Sequence, residues 1–142
     1  FRETERFLSK KMLHPLSAIQ DMIGSQATKG MHVLAKFAPQ RESCGVWSSG
    51  DTTLTVIEAY PAACQKSLRI AELCCKYTKL DFCEKLCTQD TNDALTCALV
   101  AYLYAEDREQ LCPPLSQVAA SEGWIWVPKD ALTSCEQEEK NT

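Results

Sequence analysis

Residues 52–64 read TTLTVIEAYPAAC, and two kinds of secondary-structure signal meet in this stretch. Its first nine residues are rich in β-branched side chains, which favour a strand. Pro61 suits the first turn of a helix, because its ring fixes φ and its missing N–H would have no partner there. The stretch therefore predicts a strand that runs directly into a helix.

One acidic residue interrupts this strand. Side chains alternate between the two faces of a strand, so Glu58 shares a face with Leu54, Val56 and Tyr60, which otherwise looks buried. A carboxylate in that position is either a residue of the sheet rim or part of a site.

The flanking sequence supplies the other elements. A helix is predicted over 23–37, and the short strand VW at 46–47 can form a hairpin with the strand that contains Glu58. Helices are predicted after the hairpin at 62–77, 80–87 and 93–110, followed by an extended segment in EGWIWVPKDAL. The pattern predicts an α/β protein with helices packed on a small mixed β-sheet, a single domain over 1–132 and a frayed tail over 133–142. In the last helix, a stripe of small residues permits close packing against a sheet or another helix: Ala94, Ala98, Ala101 and Ala105.

Composition narrows the class of protein. The chain has 142 residues, a net charge of −4 and a pI of about 5.2, so its overall field does not attract nucleic acid. It has no apolar run of about 18 residues, and we expect no membrane span.

Its nine cysteines fall mostly in apolar helical patterns, which favours free thiols and a cytoplasmic location. Cys83 and Cys87 are spaced i and i+4, so they could lie on one face of a helix and bind a metal ion. A structural zinc site usually needs a second ligand pair at suitable spacing, which the sequence lacks, so we expect no zinc.

Three acids are candidate metal ligands. Carboxylates on a strand and on the first turn of a neighbouring helix can hold Mg²⁺ or Mn²⁺, and two such ions activate water and neutralise phosphate charge in phosphodiester hydrolysis. Glu58, Asp90 and Asp93 have those locations. The alternative is structural, because Asp90 is also a good N-cap and Asp93 is favourable in a first helical turn.

Three basic residues form a candidate nucleic-acid surface. At 3.6 residues per turn, Lys66, Arg69 and Lys76 lie within about a quarter turn of one another on a continuous helix. They indicate either a stripe that faces phosphate or an ordinary solvated helix face.

Four short motifs, FRETER, VIEAYPAA, DALTCALVA and EGWIWVP, stand in the order found in the family of predicted RNase H-like nucleases. From about residue 1 to 130 the chain resembles this family. The resemblance implies an RNase H-like fold with acids at one end of its central strands. It implies that Asp93 begins the final acidic helix, that Asp90 is the additional acid some members use, and that Glu58 is the acid of the strand motif. Asp93 and Glu58 would then be catalytic and would hold Mg²⁺ or Mn²⁺, with Asp90 as a further ligand.

The chain departs from the family pattern at its start. The family normally opens with a glycine-containing strand that bears a metal-binding Asp, and no such strand precedes FRETER. We therefore expect the chain to match the C-terminal part of the family domain, with a metal cage that lacks its central ligand. Strands missing from the sheet would expose an edge that favours homo-oligomers.

Three functions remain open from the sequence. The first is the C-terminal part of an RNase H-like, metal-dependent nuclease that acts on nucleic acid. The second is a non-catalytic interaction domain that keeps the fold. The third is a cysteine-rich metal or redox module.

Overall fold

The computed structural model describes residues 2–11, 13, 24–51, 53–78 and 88–132. The described residues form helices and a small mixed sheet of four strands in the order β1-β2-β3-β4, which confirms the predicted α/β class. In chain order the elements are α1 (Glu3–Ser9), α2 (Gly24–Phe37), β1 (Gln40–Ser43), β2 (Val46–Ser48), β3 (Thr55–Ala59), α3 (Pro61–Cys64), α4 (Leu68–Thr78), α5 (Gln89–Glu106), a 3₁₀ turn (Arg108–Gln110) and β4 (Ile125–Trp126).

The fold divides into two compact units. The first contains the described residues within 1–10, 14–58 and 114–125, and the second contains those within 11–13, 59–113 and 126–142. The helix predicted at 80–87 and the tail predicted at 133–142 lie outside the described residues. The single domain over 1–132 stays a prediction.

The first unit is built on a hairpin. β2 pairs antiparallel with β3, so that Trp47 lies opposite Val56, which confirms the predicted hairpin. β1 adds an antiparallel strand that the sequence did not indicate, because its residues QRES lack β-branched side chains and all four are exposed. In the turn between β2 and β3, Asp51 accepts hydrogen bonds from the Ser49 hydroxyl and from Thr53. These bonds, the one from Ser49 most of all, lower the pKa of Asp51 to about 2.

Helix α1 anchors the start of the chain in the first unit. Thr4 and Leu8 are fully buried, four residues apart on one helix face. The Phe7 ring packs on the buried Trp124 ring with 5.6 Å between centroids. The segment around Trp124 is therefore held by apolar packing against α1.

The second unit begins with a break in the predicted long helix. Residues 65–67 separate α3 from α4, and the hydroxyl of Ser67 accepts a hydrogen bond from the backbone N–H of Ile70 at 3.1 Å. The Ser67 hydroxyl itself donates to Asp130 at 2.8 Å, and the backbone N–H of Arg69 donates to the other oxygen of Asp130 at 3.0 Å. Ser67 and Asp130 thus satisfy N–H groups that every helix start leaves open, and this capping begins a new helix.

Helix α5 buries its larger apolar side chains. Leu99, Val100, Leu103 and Tyr104 are buried, and the Tyr104 ring meets Trp126 edge to face with 4.9 Å between centroids. The alanine stripe at 94, 98, 101 and 105, which would permit close packing, is exposed among the described residues. The larger side chains win because burying them removes more apolar surface from water.

Two glycines give opposite predictions for the same substitution. Gly45 has φ +70°, and a Cβ there would lie 2.5 Å from the Cβ of Trp124, whereas a Cβ on Gly30 in α2 meets nothing within 4 Å. We expect Gly45→Ala to lower the free energy of unfolding by about 3 kcal/mol through backbone strain and overpacking. We expect Gly30→Ala to raise it by about 0.5–1 kcal/mol through helix propensity. Urea denaturation of both variants measures this, and a neutral Gly45→Ala would contradict the close approach to Trp124.

Candidate functional site

Glu58 lies in β3, and both of its carboxylate oxygens are bound. The Arg2 guanidinium donates to them through Nη1 at 2.6 Å and Nη2 at 2.7 Å, a bidentate pair across 56 residues of sequence. The side chains are about one third exposed, 35% for Arg2 and 37% for Glu58. Parallel bonds of this kind fix geometry as well as adding energy, so Glu58 is tied to the start of α1.

A second acid completes the environment of Arg2. Its Nε donates to Glu5 at 2.9 Å, and its backbone N–H donates to the other oxygen of Glu5 at 3.0 Å. The hydrogen bonds from Arg2 to Glu58, which outweigh the effect of burial, raise the pKa of Arg2 above its usual range, with Glu5 adding to the effect. Arg2 therefore keeps its charge, and its three side-chain nitrogens each donate to a carboxylate.

Further bonds join the same region to the EGWIWVP motif. The backbone N–H of Ile125 donates to the buried Thr4 hydroxyl at 3.1 Å, and the N–H of Glu3 donates to Glu122. Three of the four motifs quoted above thus meet in the first unit. Their contacts with one another give these residues a structural role.

The structure changes the interpretation of the acids in α5. Thr88 is the N-cap: its hydroxyl accepts from the N–H of Thr91 at 3.2 Å, and the Thr91 hydroxyl accepts from the N–H of Thr88. The prediction that Asp90 caps this helix was therefore wrong. Asp90 is exposed in the first turn, and Asp93 is partly buried and accepts a hydrogen bond from the Gln89 amide at 2.7 Å.

The three candidate ligands fall in different units. Glu58 belongs to the first unit, whereas Asp90 and Asp93 belong to the second. Across the part of the chain that the structure describes, no group of three or more His, Cys, Asp or Glu side chains is arranged to hold a metal ion.

The three basic candidates all lie in the second unit but differ in their surroundings. The predicted basic stripe requires Lys66, Arg69 and Lys76 to lie on one continuous helix. Because α4 begins at Leu68, Lys66 lies outside this helix. Arg69 pairs with Glu72 at 3.2 Å and with Asp107 at 3.7 Å, whereas Lys76 is exposed. Arg69 thus serves mainly to link acids of the second unit.

Lys76 belongs to an aromatic cluster that the sequence did not reveal. Its ammonium lies 4.8 Å from the ring centroid of Tyr77, and the hydroxyls of Tyr77 and Tyr102 are hydrogen-bonded at 2.8 Å. The two tyrosines are 25 residues apart on different helices, so no local pattern connects them.

A cleft of about 590 Å³ adjoins the Arg2–Glu58 pair in the first unit, between α2 and the β2–β3 hairpin. The sequence did not indicate it, because its lining comes from five separate segments. Arg2 and Glu122 were missed for the same reason.

The six cysteines in the described part carry thiols rather than disulfides. Cys64 is fully buried, and burial raises its pKa to about 12. Cys97 is four residues after Asp93. Its pKa is raised mainly by burial and to a smaller extent by the negative charge of Asp93. Cys83, Cys87 and Cys135 lie outside the described residues.

Comparison of the chain with protein-family models, with curated proteins and with solved structures finds no match. The resemblance to RNase H-like nucleases therefore stays a prediction. Within the described residues, none of the helices combines the length and apolarity that crossing a bilayer requires.

A double-mutant cycle on Arg2→Met and Glu58→Gln tests the central ion pair. Because the pair is bidentate but partly solvated, we expect a coupling energy of about 1 kcal/mol in urea denaturation. The pair Arg6 and Glu3, at 2.6 Å but exposed on α1, is the matched control and should couple by less than about 0.5 kcal/mol. Equal coupling in the two cycles would contradict a special role for Arg2 and Glu58.

Thiol labelling tests the burial of Cys64. A pKa raised from 9.0 to about 12 lowers the thiolate fraction about a thousandfold at a given pH, so labelling at pH 8 should be at least ~100-fold slower than at the exposed Cys75. Because the folded pKa is raised, the neutral thiol's contribution to stability is complete below about pH 9 and is lost as pH rises toward about 12. Mass spectrometry of labelled peptides resolves the two sites, and equal rates would show that Cys64 is accessible.

Proposed function

We propose that this chain carries the C-terminal acidic helix of an RNase H-like, divalent-metal-dependent nuclease, in which Asp93 and Asp90 are ligands for Mg²⁺ or Mn²⁺. One observation carries the proposal beyond the motifs. Thr88 caps α5, so the carboxylates of Asp90 and Asp93 are not needed to close the helix end. Two acids in the first turns of a helix, without a capping task, suit a ligand role.

The chemistry of the donors fits such an ion, but the described set is incomplete. Mg²⁺ prefers carboxylate oxygens and often keeps several waters while one or two carboxylates bind it. Glu58 has both oxygens bound by Arg2, and the described residues supply no third ligand beside Asp90 and Asp93. We therefore expect weak binding of a hydrated ion at these two acids. The proposed catalytic role of Glu58 requires that Arg2 first release its carboxylate.

The proposal extends to partner and location. Nucleic acid would meet the second unit at Lys76, with Lys66 nearby in sequence and Arg69 already paired to acids. The thiol-rich composition supports a cytoplasmic setting. Homo-oligomers through the sheet edge are part of the proposal, although the exposed edge strand β1 carries Arg41 and Glu42, and charges of this kind oppose strand pairing.

A non-catalytic interaction domain is the second candidate. It is favoured by the Arg2–Glu58 pair, which engages the carboxylate that a nuclease of this class would need, and by the cleft beside it. The cysteine-rich metal or redox module gains no such support from the described thiols.

Manganese titration followed by NMR separates the two candidates. Because Mn²⁺ broadens signals near its binding site, we expect millimolar Mn²⁺ to broaden the amide signals of residues 89–97 selectively. The double variant Asp90→Asn, Asp93→Asn should abolish this effect, since neutral amides do not replace charged ligands. Glu106→Gln, which removes an exposed acid at the far end of α5, is the control and should leave the broadening unchanged.

A nuclease assay with Mg²⁺ or Mn²⁺ on single-stranded, duplex and branched nucleic acid accompanies the titration. Cleavage that falls with Asp93→Asn and persists with Glu106→Gln would support the nuclease. Uniform broadening, or identical behaviour of the two variants, would overturn the ligand assignment and favour the interaction domain.

A further inference from the structure

The cleft of the first unit has an apolar wall that is built by two kinds of element. Helix α2 contributes Met31 and Leu34, and the hairpin contributes Trp47 and Ile57. Met31 is 62% exposed even though it lies against this wall. A volume of about 590 Å³ falls in the range of about 300–1,000 Å³ that is typical of small-molecule sites.

The charged groups of the cleft are unevenly balanced. Three carboxylates, Glu5, Glu58 and Glu122, share the lining with one guanidinium, that of Arg2, so the formal charge of the lining is −2. Arg2 already donates to Glu5 and Glu58 through Nε, Nη1 and Nη2. Two of the five guanidinium N–H donors of Arg2 remain, but an anion that reached them would approach the three carboxylates, whereas a cation meets unbalanced negative charge.

An aromatic ring adds to this preference. Trp47 lines the cleft and is only partly buried. The face of an indole ring attracts a cation through its quadrupole, and tryptophan does so best among the aromatic side chains. Acidic groups and an aromatic wall in one apolar cleft therefore favour the same kind of ligand.

The shape of the cleft leaves room for that ligand. Gly30 of α2 is part of the lining, and a Cβ built on it meets no atom within 4 Å. This position of α2 is thus open to at least one added carbon atom on the side of the cleft.

We infer that this cleft binds an organic cation, an ammonium or guanidinium group on an apolar body, with the charge near Glu122 and the apolar body against Met31, Leu34 and Trp47. Among the described residues, the carboxylate of Glu122 accepts a backbone N–H from Glu3, and a carboxylate with one such bond keeps lone pairs for a ligand. The site lies wholly in the first unit and is independent of the proposed metal ligands in α5. A free amine and a lysine or arginine side chain of a peptide present the same chemistry.

Three probes of equal chain length test the sign of the ligand charge. Hexylammonium, hexanol and hexanoate are titrated separately into the protein and followed by the NMR signal of the Trp47 indole N–H. We expect hexylammonium to bind at least about 10-fold more tightly than hexanol, and hexanoate to bind more weakly than either, because the lining is acidic and aromatic. Hexanol or hexanoate binding as tightly as hexylammonium would overturn the inference, as would the absence of a saturable shift with hexylammonium.

Substitutions locate the binding in the cleft. Glu122→Gln keeps an oxygen for the N–H of Glu3 but removes a charge, and it should weaken hexylammonium about 3–10-fold while leaving hexanol unchanged. Gly30→Leu fills the open space and should weaken both probes, with the melting temperature confirming that the protein is folded. Glu109→Gln, an exposed acid in the second unit, is the control and should change neither. Hexylammonium affinity that is unchanged in both cleft variants would place the binding elsewhere and overturn the assignment.

A comparison of two peptides identifies whether the cation belongs to a protein side chain or to a free amine. A blocked Leu-Lys-Leu peptide is compared with Leu-norleucine-Leu, which has the same shape without the charge. Tighter binding of the lysine peptide than of hexylammonium assigns a protein side chain, whereas weaker binding assigns a free amine. Equal binding of the two peptides, together with equal binding of hexanol and hexylammonium, would show that charge is not recognised.

Discussion

The bidentate ion pair between Arg2 and Glu58 is the interaction on which the first unit depends. It joins the beginning of α1 to β3, and it stands beside the hydrogen bond from Ile125 to Thr4. Segments far apart in sequence are thereby fixed by a few polar bonds together with the packing of Phe7 on Trp124. The same pair limits what Glu58 can do, because a carboxylate that holds a guanidinium with both oxygens is not free for an ion.

The elements that the sequence predicted best are those with strong local patterns. The β-branched run before Pro61, the periodic helix that ends at Phe37 and the apolar segment at Ile125 all have such patterns. The misses concern choices that local patterns do not contain. Whether α3 continues into α4 depends on Asp130, which lies 63 residues from Ser67 and makes Ser67 a cap.

The candidate site shows the same limit. Its acids could be found because acids in strands and first helical turns are conspicuous, but their partners could not. A sequence does not show that Arg2 reaches Glu58, or that Thr88 and Thr91 close α5 and leave Asp90 without a capping task. Side-chain geometry over a few ångströms decides which residue caps the helix, and by residue type alone Thr88 and Asp90 are both favourable N-caps.

The discontinuous make-up of the first unit has a consequence for synthesis on the ribosome. Its described residues lie within 1–10, 14–58 and 114–125, and the bond from Ile125 to Thr4 spans 121 residues. The described residues within 59–113, which separate the last two of these segments, belong to the second unit. Thr4 and Phe7 must therefore wait until residues 124–125 have been synthesised before these native partners exist, and contacts of such long sequence separation form slowly. During this interval Phe7 lacks the Trp124 ring that packs on it, which makes the segment that contains Phe7 a natural substrate for chaperones.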